Sequence, residues 1–206
     1  MQLIERMAPE KRQIIEEILD TELEMFLSVN AREKAACQED PDGFRFYRGC
    51  MFSVWSIETL TSYKEDVLRA KKEGRNLVTL KYARMENLIP QLNDSELIEK
   101  IAEIQIRWIR EMAVKYPHVQ SQSRSIEDDS PQSTSTKTYL RGELETYSEK
   151  TLELHHRDLL ESIEKGENLS EKMCAGMVEG AGFSSLEAAE ESLALRSKGG
   201  NGAESN

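Results

Sequence analysis

The sequence predicts an all-α protein, an antiparallel helical bundle built from two similar units of long helix, longer helix and short helix. Three observations lead to this prediction. Proline and glycine are scarce, 5 and 11 among 206 residues, so little interrupts helices rich in Glu, Leu, Lys and Ala. Apolar residues recur at three- and four-residue spacing, which places them on one face of a helix. Finally, a 23-residue segment that begins at Trp55 recurs, without a gap, from Tyr147.

The first half of the sequence contains four predicted helices. Gly74 ends the second of them, because glycine adopts the left-handed conformation of a helix C-terminus without steric cost. Asn76 is then placed to cap the third helix through its side-chain oxygen. The four helices are predicted over residues 9–29, 44–73, 77–89 and 94–115.

The second half repeats this plan after a polar segment. Residues 117–136 are rich in Ser, Gln and Asp and bury too little apolar surface to offset the entropy of ordering, so we predict a disordered linker. A second long helix follows over 137–165. The predicted organisation is a first repeat over 1–116, the linker, a second repeat over 137–196 that packs on the first as one domain, and a flexible tail over 197–206.

The two similar segments agree at 8 of 23 positions with a constant offset of 92. Chance would give about one or two matches on ordinary composition. Any two amphipathic helices share some leucines, but this explanation does not account for the Gly-x-Asn-Leu sequence that ends both segments. The pattern therefore favours an internal duplication.

A duplicated bundle predicts where a ligand would bind, between facing helices near the pseudo-twofold axis. Polar side chains in such a core must be paired or functional, because burying them otherwise costs a few kcal/mol each. We expect Arg48 and Glu145 to meet across this axis, with Glu22 as a third member. The alternative is that these residues are surface charges or a structural ion pair.

Each candidate residue has a predicted role. Arg48 would bind an anionic group, Trp55 would stack on the ligand, and Glu22 or Glu145 would act as acid or base. Gln38 and Thr59 complete the predicted ligand-binding set. Cys37 is a candidate nucleophile, because a helix N-terminus lowers a thiol pKa; alternatively it is an ordinary turn residue.

The sequence predicts neither a metal site nor a cofactor. Glu153-x-x-His156 has the spacing found in di-iron bundles, but Thr61 and Lys64 occupy the equivalent positions of the first segment. The second half of such a site is therefore missing.

Charge and cysteine content limit partners and compartment. A net charge of −11 argues against binding to nucleic acid or to an anionic membrane surface. The start, MQLIERMAPEKRQ, is too polar for a signal peptide, and three widely spaced cysteines favour reduced thiols. We therefore expect a cytoplasmic protein.

Several motifs of the sequence resemble one family. The motifs are CQ at Cys37 and Gln38, F-x-x-x-RG ending at Gly49, W-x-x-E-T-L-x-S-Y from Trp55, GRNL-x-x-x-KYA-x-M from Gly74, and YLRGELETYS-x-x-TL from Tyr139. With these motifs the chain resembles an uncharacterised all-helical family of bacteria and fungi, domain of unknown function 4125. It departs from the family pattern at Leu23 and Leu80, where members carry Trp and Glu. The resemblance implies an all-helical fold and no established activity.

Two functions from different classes follow from these observations. The leading hypothesis is a helical protein that binds a small anionic metabolite between its two repeats, with or without processing it. The alternative is a protein-interaction or self-associating module without catalytic activity. No motif in the sequence indicates a particular reaction, so the sequence leaves open whether the protein is an enzyme.

Overall fold

The computed structural model describes residues 2–29, 40–130 and 133–200, and these residues form an all-α fold, as predicted. The helices are α1 (Gln2–Glu5), α2 (Pro9–Leu27), α3 (Pro41–Ser53), α4 (Ile57–Lys72), α5 (Leu77–Met85), α6 (Glu96–Lys115), α7 (Pro117–Gln120), α8 (Thr136–Leu144), α9 (Glu149–Glu164), α10 (Leu169–Gly180) and α11 (Leu186–Gly200).

Each of the two predicted long helices is in fact two helices, so the prediction of continuous helices over 44–73 and 137–165 was wrong. The first breaks between α3 and α4, where Ser56 has extended backbone angles and its side chain accepts a hydrogen bond from the amide of Thr59. The second breaks between α8 and α9, where Ser148 does the same for Thr151. Serine is a favoured N-cap residue, and here it starts a new helix without a proline or glycine.

The predicted ends of α4 and α9, at the glycine of each Gly-x-Asn-Leu sequence, are confirmed. Gly74 and Gly166 have φ angles of 69° and 68°, in the left-handed region that glycine tolerates. The side chains of Asn76 and Asn168 then cap α5 and α10, each accepting a hydrogen bond of 2.9 Å from a backbone amide of the first turn.

The helices interleave across the molecule. The two central helices, α4 and α9, pack against each other, with α2 on α4 and α6 on α9. The shorter helices also pack in pairs that join the two sides of the polar segment: α3 packs on α10, and α8 packs on α5. The residues before and after the polar segment therefore share one core, in which Leu60 and Leu152 are fully buried.

The segment over 117–136, predicted to be disordered, has a defined path in its described part. It starts with α7, where Val119 is buried in a second small apolar cluster. Glu190 accepts hydrogen bonds from two backbone amides of α7, and Asp129 accepts one from the amide of Ser135. Hydrogen bonds to Glu190 of α11 and within the segment itself thus hold a segment that has little apolar surface to bury. At the predicted tail, α11 continues to Gly200, and residues 201–206 lie outside the described residues.

A buried aspartate of α4 caps the N-terminus of α9. Asp66 Oδ2 accepts hydrogen bonds from the amide of Ser148 at 3.0 Å, from the Ser148 hydroxyl at 2.9 Å and from the Thr151 hydroxyl at 2.6 Å. The amides at a helix start have no partner within the helix. Asp66 therefore satisfies groups of the other central helix.

The reverse contact is also present. Asp158 of α9 accepts hydrogen bonds from the amide of Ser56 at 3.0 Å and from the Thr59 hydroxyl at 2.7 Å. Each central helix thus supplies the acceptor that the start of the other one needs. We call these contacts the paired caps.

We expect Asp66→Ala to lower the free energy of unfolding by about 3 kcal/mol, because it leaves buried donors of α9 unpaired. Urea unfolding measures this change. The control is Glu65→Ala, which removes the neighbouring, exposed carboxylate that pairs with Lys150 and should change stability by no more than about 0.5 kcal/mol. Equal unfolding midpoints for the two variants would contradict the role of the paired caps.

Candidate functional site

A cluster of charged side chains is buried between α2, α3, α5 and α8. Arg48 of α3 is only 3% exposed. It donates to Glu22 of α2 from Nε at 2.8 Å and from Nη2 at 2.5 Å, and from Nη1 to Glu143 of α8. One guanidinium thus binds two carboxylates from different helices, and we call this group, with Lys81, the buried ion cluster.

Tyrosines complete the hydrogen bonding of this cluster. The Tyr63 hydroxyl donates to Glu22 at 2.6 Å, and the Tyr147 hydroxyl donates to Glu143 at 3.0 Å. Lys81 lies 3.4 Å from the second oxygen of Glu143. The carboxylates are therefore bonded from several sides, as buried charges must be.

The surrounding charges keep Glu143 and Arg48 ionised. Burial favours the neutral form of Glu143, but Arg48 and Lys81 outweigh burial and hold the pKa of Glu143 at about 2. Burial likewise lowers the pKa of Arg48, and Glu143 and Glu22 more than offset it, so that the Arg48 pKa is above its ordinary value. Arg48 and Glu143 therefore form a matched pair of ions.

The buried ion cluster leaves almost no room for a ligand. The free space beside Arg48 is about 10 Å³, which is the volume that one water molecule requires. An anion could reach Arg48 only by displacing Glu22 or Glu143. The observed contacts correspond to the structural ion pair that the sequence left open as an alternative.

The expected meeting of Arg48 with Glu145 was wrong. Glu145 instead pairs with Arg84, which donates to it from Nε at 2.6 Å and from Nη2 at 3.0 Å. It also accepts a hydrogen bond from the amide of Leu92 at 3.0 Å. Glu143 and Glu145 are two residues apart and therefore about 200° apart around α8, so the orientation that directs Glu143 to Arg48 directs Glu145 to Arg84.

The remaining predicted site residues do not line an open pocket together. Trp55 is 4% exposed in the core, with its ring centre 4.6 Å from that of His155 and 5.9 Å from that of Tyr147. Thr59 is fully buried and belongs to the paired caps. Cys37 and Gln38 lie outside the described residues.

A larger cavity of about 210 Å³ lies nearby, and Leu77 and Thr146 line both this cavity and the small space beside Arg48. We call it the outer cleft. It lies where the end of α4 and the start of α5 face the turn between α8 and α9. Its lining residues are Asp66, Arg69, Arg75, Leu77, Leu80, Leu92, Asn93, Glu145, Thr146, Tyr147 and Ser148.

Two arginines of the outer cleft are about half exposed. Arg69 donates to Asp66 from Nη2 at 2.5 Å, and Arg75 donates to Glu73 from Nε at 2.8 Å. Neither arginine belongs to the site predicted from the sequence. They belong to the basic run RAKKEGR, which would have been the signal for this cleft, although a basic helix end also has a structural explanation in the helix dipole.

One wall of the outer cleft is held by hydrogen bonds to backbone groups. Arg84, already paired with Glu145, also donates from Nη1 to the Ile89 carbonyl at 3.0 Å. The Asn93 side chain donates to the Tyr147 carbonyl at 3.1 Å. The turn between α5 and α6 is thereby fixed to the turn between α8 and α9.

Two negative findings concern the described part of the chain only. Over these residues, no group of three or more His, Cys, Asp and Glu side chains is arranged to hold a metal ion. Likewise, none of the described helices combines the length and the apolar content that crossing a membrane requires.

We expect Arg48→Met to destabilise the protein by about 3–5 kcal/mol, because it leaves two buried carboxylates without their cation. Adding Glu22→Gln and Glu143→Gln to this variant should recover part of the loss. The control is Arg45→Met, which breaks an exposed pair with Asp20 and should cost less than about 1 kcal/mol. Denaturant unfolding checks these values, and a stable Arg48→Met protein would contradict the buried ion cluster as described.

We expect His155 to make the protein sensitive to mild acid. Burial lowers the pKa of His155 to about 4, against the opposing attraction of Asp158 and Glu143. Because the folded state favours the neutral ring, its stabilising effect is complete above the unfolded pKa of about 6.5 and is lost as pH falls towards about 4. The urea midpoint should therefore fall over this range.

His155→Phe should flatten this fall, whereas His156→Gln, at a half-buried position, should retain most of it. Identical pH profiles for the wild type and His155→Phe would show that His155 does not cause the acid sensitivity.

Comparison with known proteins gives a family but no activity. No curated protein and no solved structure matches the chain. The model of one family, described as protein of unknown function (DUF4125), matches residues 12–191. This match covers most of the chain and confirms the resemblance seen in its motifs. The chain therefore belongs to the DUF4125 family of proteins of unknown function.

Proposed function

We propose that the protein binds a small anionic metabolite in the outer cleft, at the junction of its two halves. The observation that carries this proposal is the cavity of about 210 Å³ with Arg69 and Arg75 in its lining. A guanidinium has five N–H donors, and the described contacts of each arginine engage only part of them. The remaining donors can bind a carboxylate or a phosphate group.

The rest of the lining supports a small organic ligand. Leu77, Leu80 and Leu92 offer apolar surface for its body. The volume is below the roughly 300–1,000 Å³ of sites for drug-sized molecules. The two carboxylates of the lining, Asp66 and Glu145, are each paired with an arginine and with a backbone amide, which reduces their repulsion of an anion.

We further propose that the chain arose by internal duplication. The Asn76 side chain donates to the Met25 carbonyl at 2.7 Å, and the Asn168 side chain donates to the Trp108 carbonyl at 3.1 Å. This correspondence relates α2 to α6 by an offset of 83, and the offset of 92 relates α4 to α9. The two halves of the proposed duplication are therefore α2 to α5 and α6 to α10, with a boundary before α6 and not after the predicted first repeat of 1–116. The paired caps follow the same correspondence and support the duplication.

A difference between the two halves of this duplication supports a single anion site in each chain. At the positions that match Arg69 and Arg75, the second half carries Glu161 and Glu167. The net charge of −11 and the free thiols of Cys50 and Cys174 support a cytoplasmic location. The proposal concerns binding and assigns no reaction.

A self-associating or partner-binding module is the second candidate. Leu68 and Leu160 occupy matching positions of α4 and α9 and are 47% and 44% exposed. Sedimentation that depends on protein concentration in the absence of ligand, and that is abolished by Leu68→Lys or Leu160→Lys, would favour this candidate.

We expect a panel of small carboxylates and phosphate monoesters to contain compounds that raise the melting temperature. A ligand at about 100 times its Kd stabilises the folded state by about 2.7 kcal/mol. The double variant Arg69→Ala/Arg75→Ala should lose this response, whereas Arg107→Ala, at an exposed position of α6, should keep it. No response in the wild type, or an equal response in the double variant, would contradict binding in the outer cleft.

A further inference from the structure

Two buried polar atoms near the centre of the second half have no hydrogen-bond partner among the described residues. They are Oε1 of Gln105 on α6 and Nδ1 of His155 on α9. His155 is 2% exposed. An unpaired buried acceptor destabilises a protein, because it loses its bond to water without replacement.

These two atoms lie at positions that correspond to a bonded pair of the first half, if the proposed duplication holds. The offset of 83 matches Gln105 with Glu22, and the offset of 92 matches His155 with Tyr63. In the first half, the Tyr63 hydroxyl donates to Glu22 at 2.6 Å. Because α6 packs on α9 as α2 packs on α4, Gln105 should face His155 in the same way.

The two halves differ in what fills the space between the side chains. An imidazole ring is shorter than a phenol and lacks its hydroxyl oxygen, so His155 cannot reach Gln105 as Tyr63 reaches Glu22. Leu140 stands at the position that matches Arg48, so no cation from this position can serve as a donor. The charged centre of the first half thus corresponds to a neutral centre in the second half.

We infer that one water molecule binds between His155 and Gln105, in the place that the Tyr63 hydroxyl takes in the first half. Gln105 Oε1 is an acceptor, and His155 Nδ1 is an acceptor in the tautomer that has its proton on Nε2, so the two donors of one water molecule can serve both atoms. The His155 ring then carries its proton on Nε2. Buried waters commonly satisfy such groups. This site is separate from the outer cleft and does not depend on ligand binding there.

A cycle of two substitutions tests the water site. Gln105→Leu in the wild type should lower the melting temperature by roughly 2–4 °C, because it removes one of the two acceptors that hold the water. In the His155→Phe background, where the water has already lost its other partner, Gln105→Leu should raise the melting temperature by removing an unpaired amide. A wild-type protein that is unchanged or stabilised by Gln105→Leu would overturn the inference.

A second measurement does not require the variants to fold. A wild-type crystal structure at better than about 1.5 Å should show an electron-density peak within hydrogen-bond distance, about 2.7–3.2 Å, of both atoms. Ordered Gln105 and His155 side chains without such a peak would overturn the inference, even where the proposed ligand binding is confirmed.

Discussion

The start of a helix leaves backbone amides that need acceptors, and in this protein the two central helices provide them for each other. Asp66 of α4 binds the start of α9, and Asp158 of α9 binds the start of α4. Both carboxylates are buried, so the bonds are shielded from water and are strong relative to exposed ones. Sliding one helix along the other would break both caps at once. The paired caps therefore fix the relative position of α4 and α9, on which α2 and α6 pack.

The buried ion cluster and the outer cleft both lie next to this arrangement. Ser148, which Asp66 binds, follows directly on the turn that carries Glu145, and Glu143 is at the end of the preceding helix. Asp66 also binds Arg69 in the lining of the cleft. One carboxylate thus links the central helix pair to the candidate ligand site. The ion cluster, in contrast, is complete without a ligand, because Glu22 and Glu143 bind the guanidinium of Arg48.

Much of the fold could be predicted from local sequence signals. Gly74 and Gly166 end helices because of their backbone conformation, and Asn76 and Asn168 begin helices through their side chains. These effects act within a few residues, so they are visible in the sequence. The breaks at Ser56 and Ser148 were missed, because a serine can also lie inside a continuous helix. Each of these two serines begins a helix whose first amide is bound by an aspartate about 80 to 100 residues away in sequence.

The candidate site was harder to predict for the same reason. We expected Arg48 to meet Glu145, with Glu22 as a third member; Glu22 does bind Arg48, but Glu143 takes the place of Glu145. Arg69 and Arg75 were absent from the predicted site, since a cavity depends on the packing of distant elements. The sequence therefore allowed us to predict which charged side chains are buried, but not which residue each of them pairs with.

Amide hydrogen exchange of Ser56 and Ser148 tests the paired caps most directly. These amides begin helices and have no partner within them, so in an ordinary helix they would exchange quickly. Bonded to buried aspartates, both should exchange only through large-scale unfolding, with opening free energies near those of Leu60 and Leu152 in the core. Exchange of either serine amide as fast as that of an exposed N-terminal amide would contradict the account.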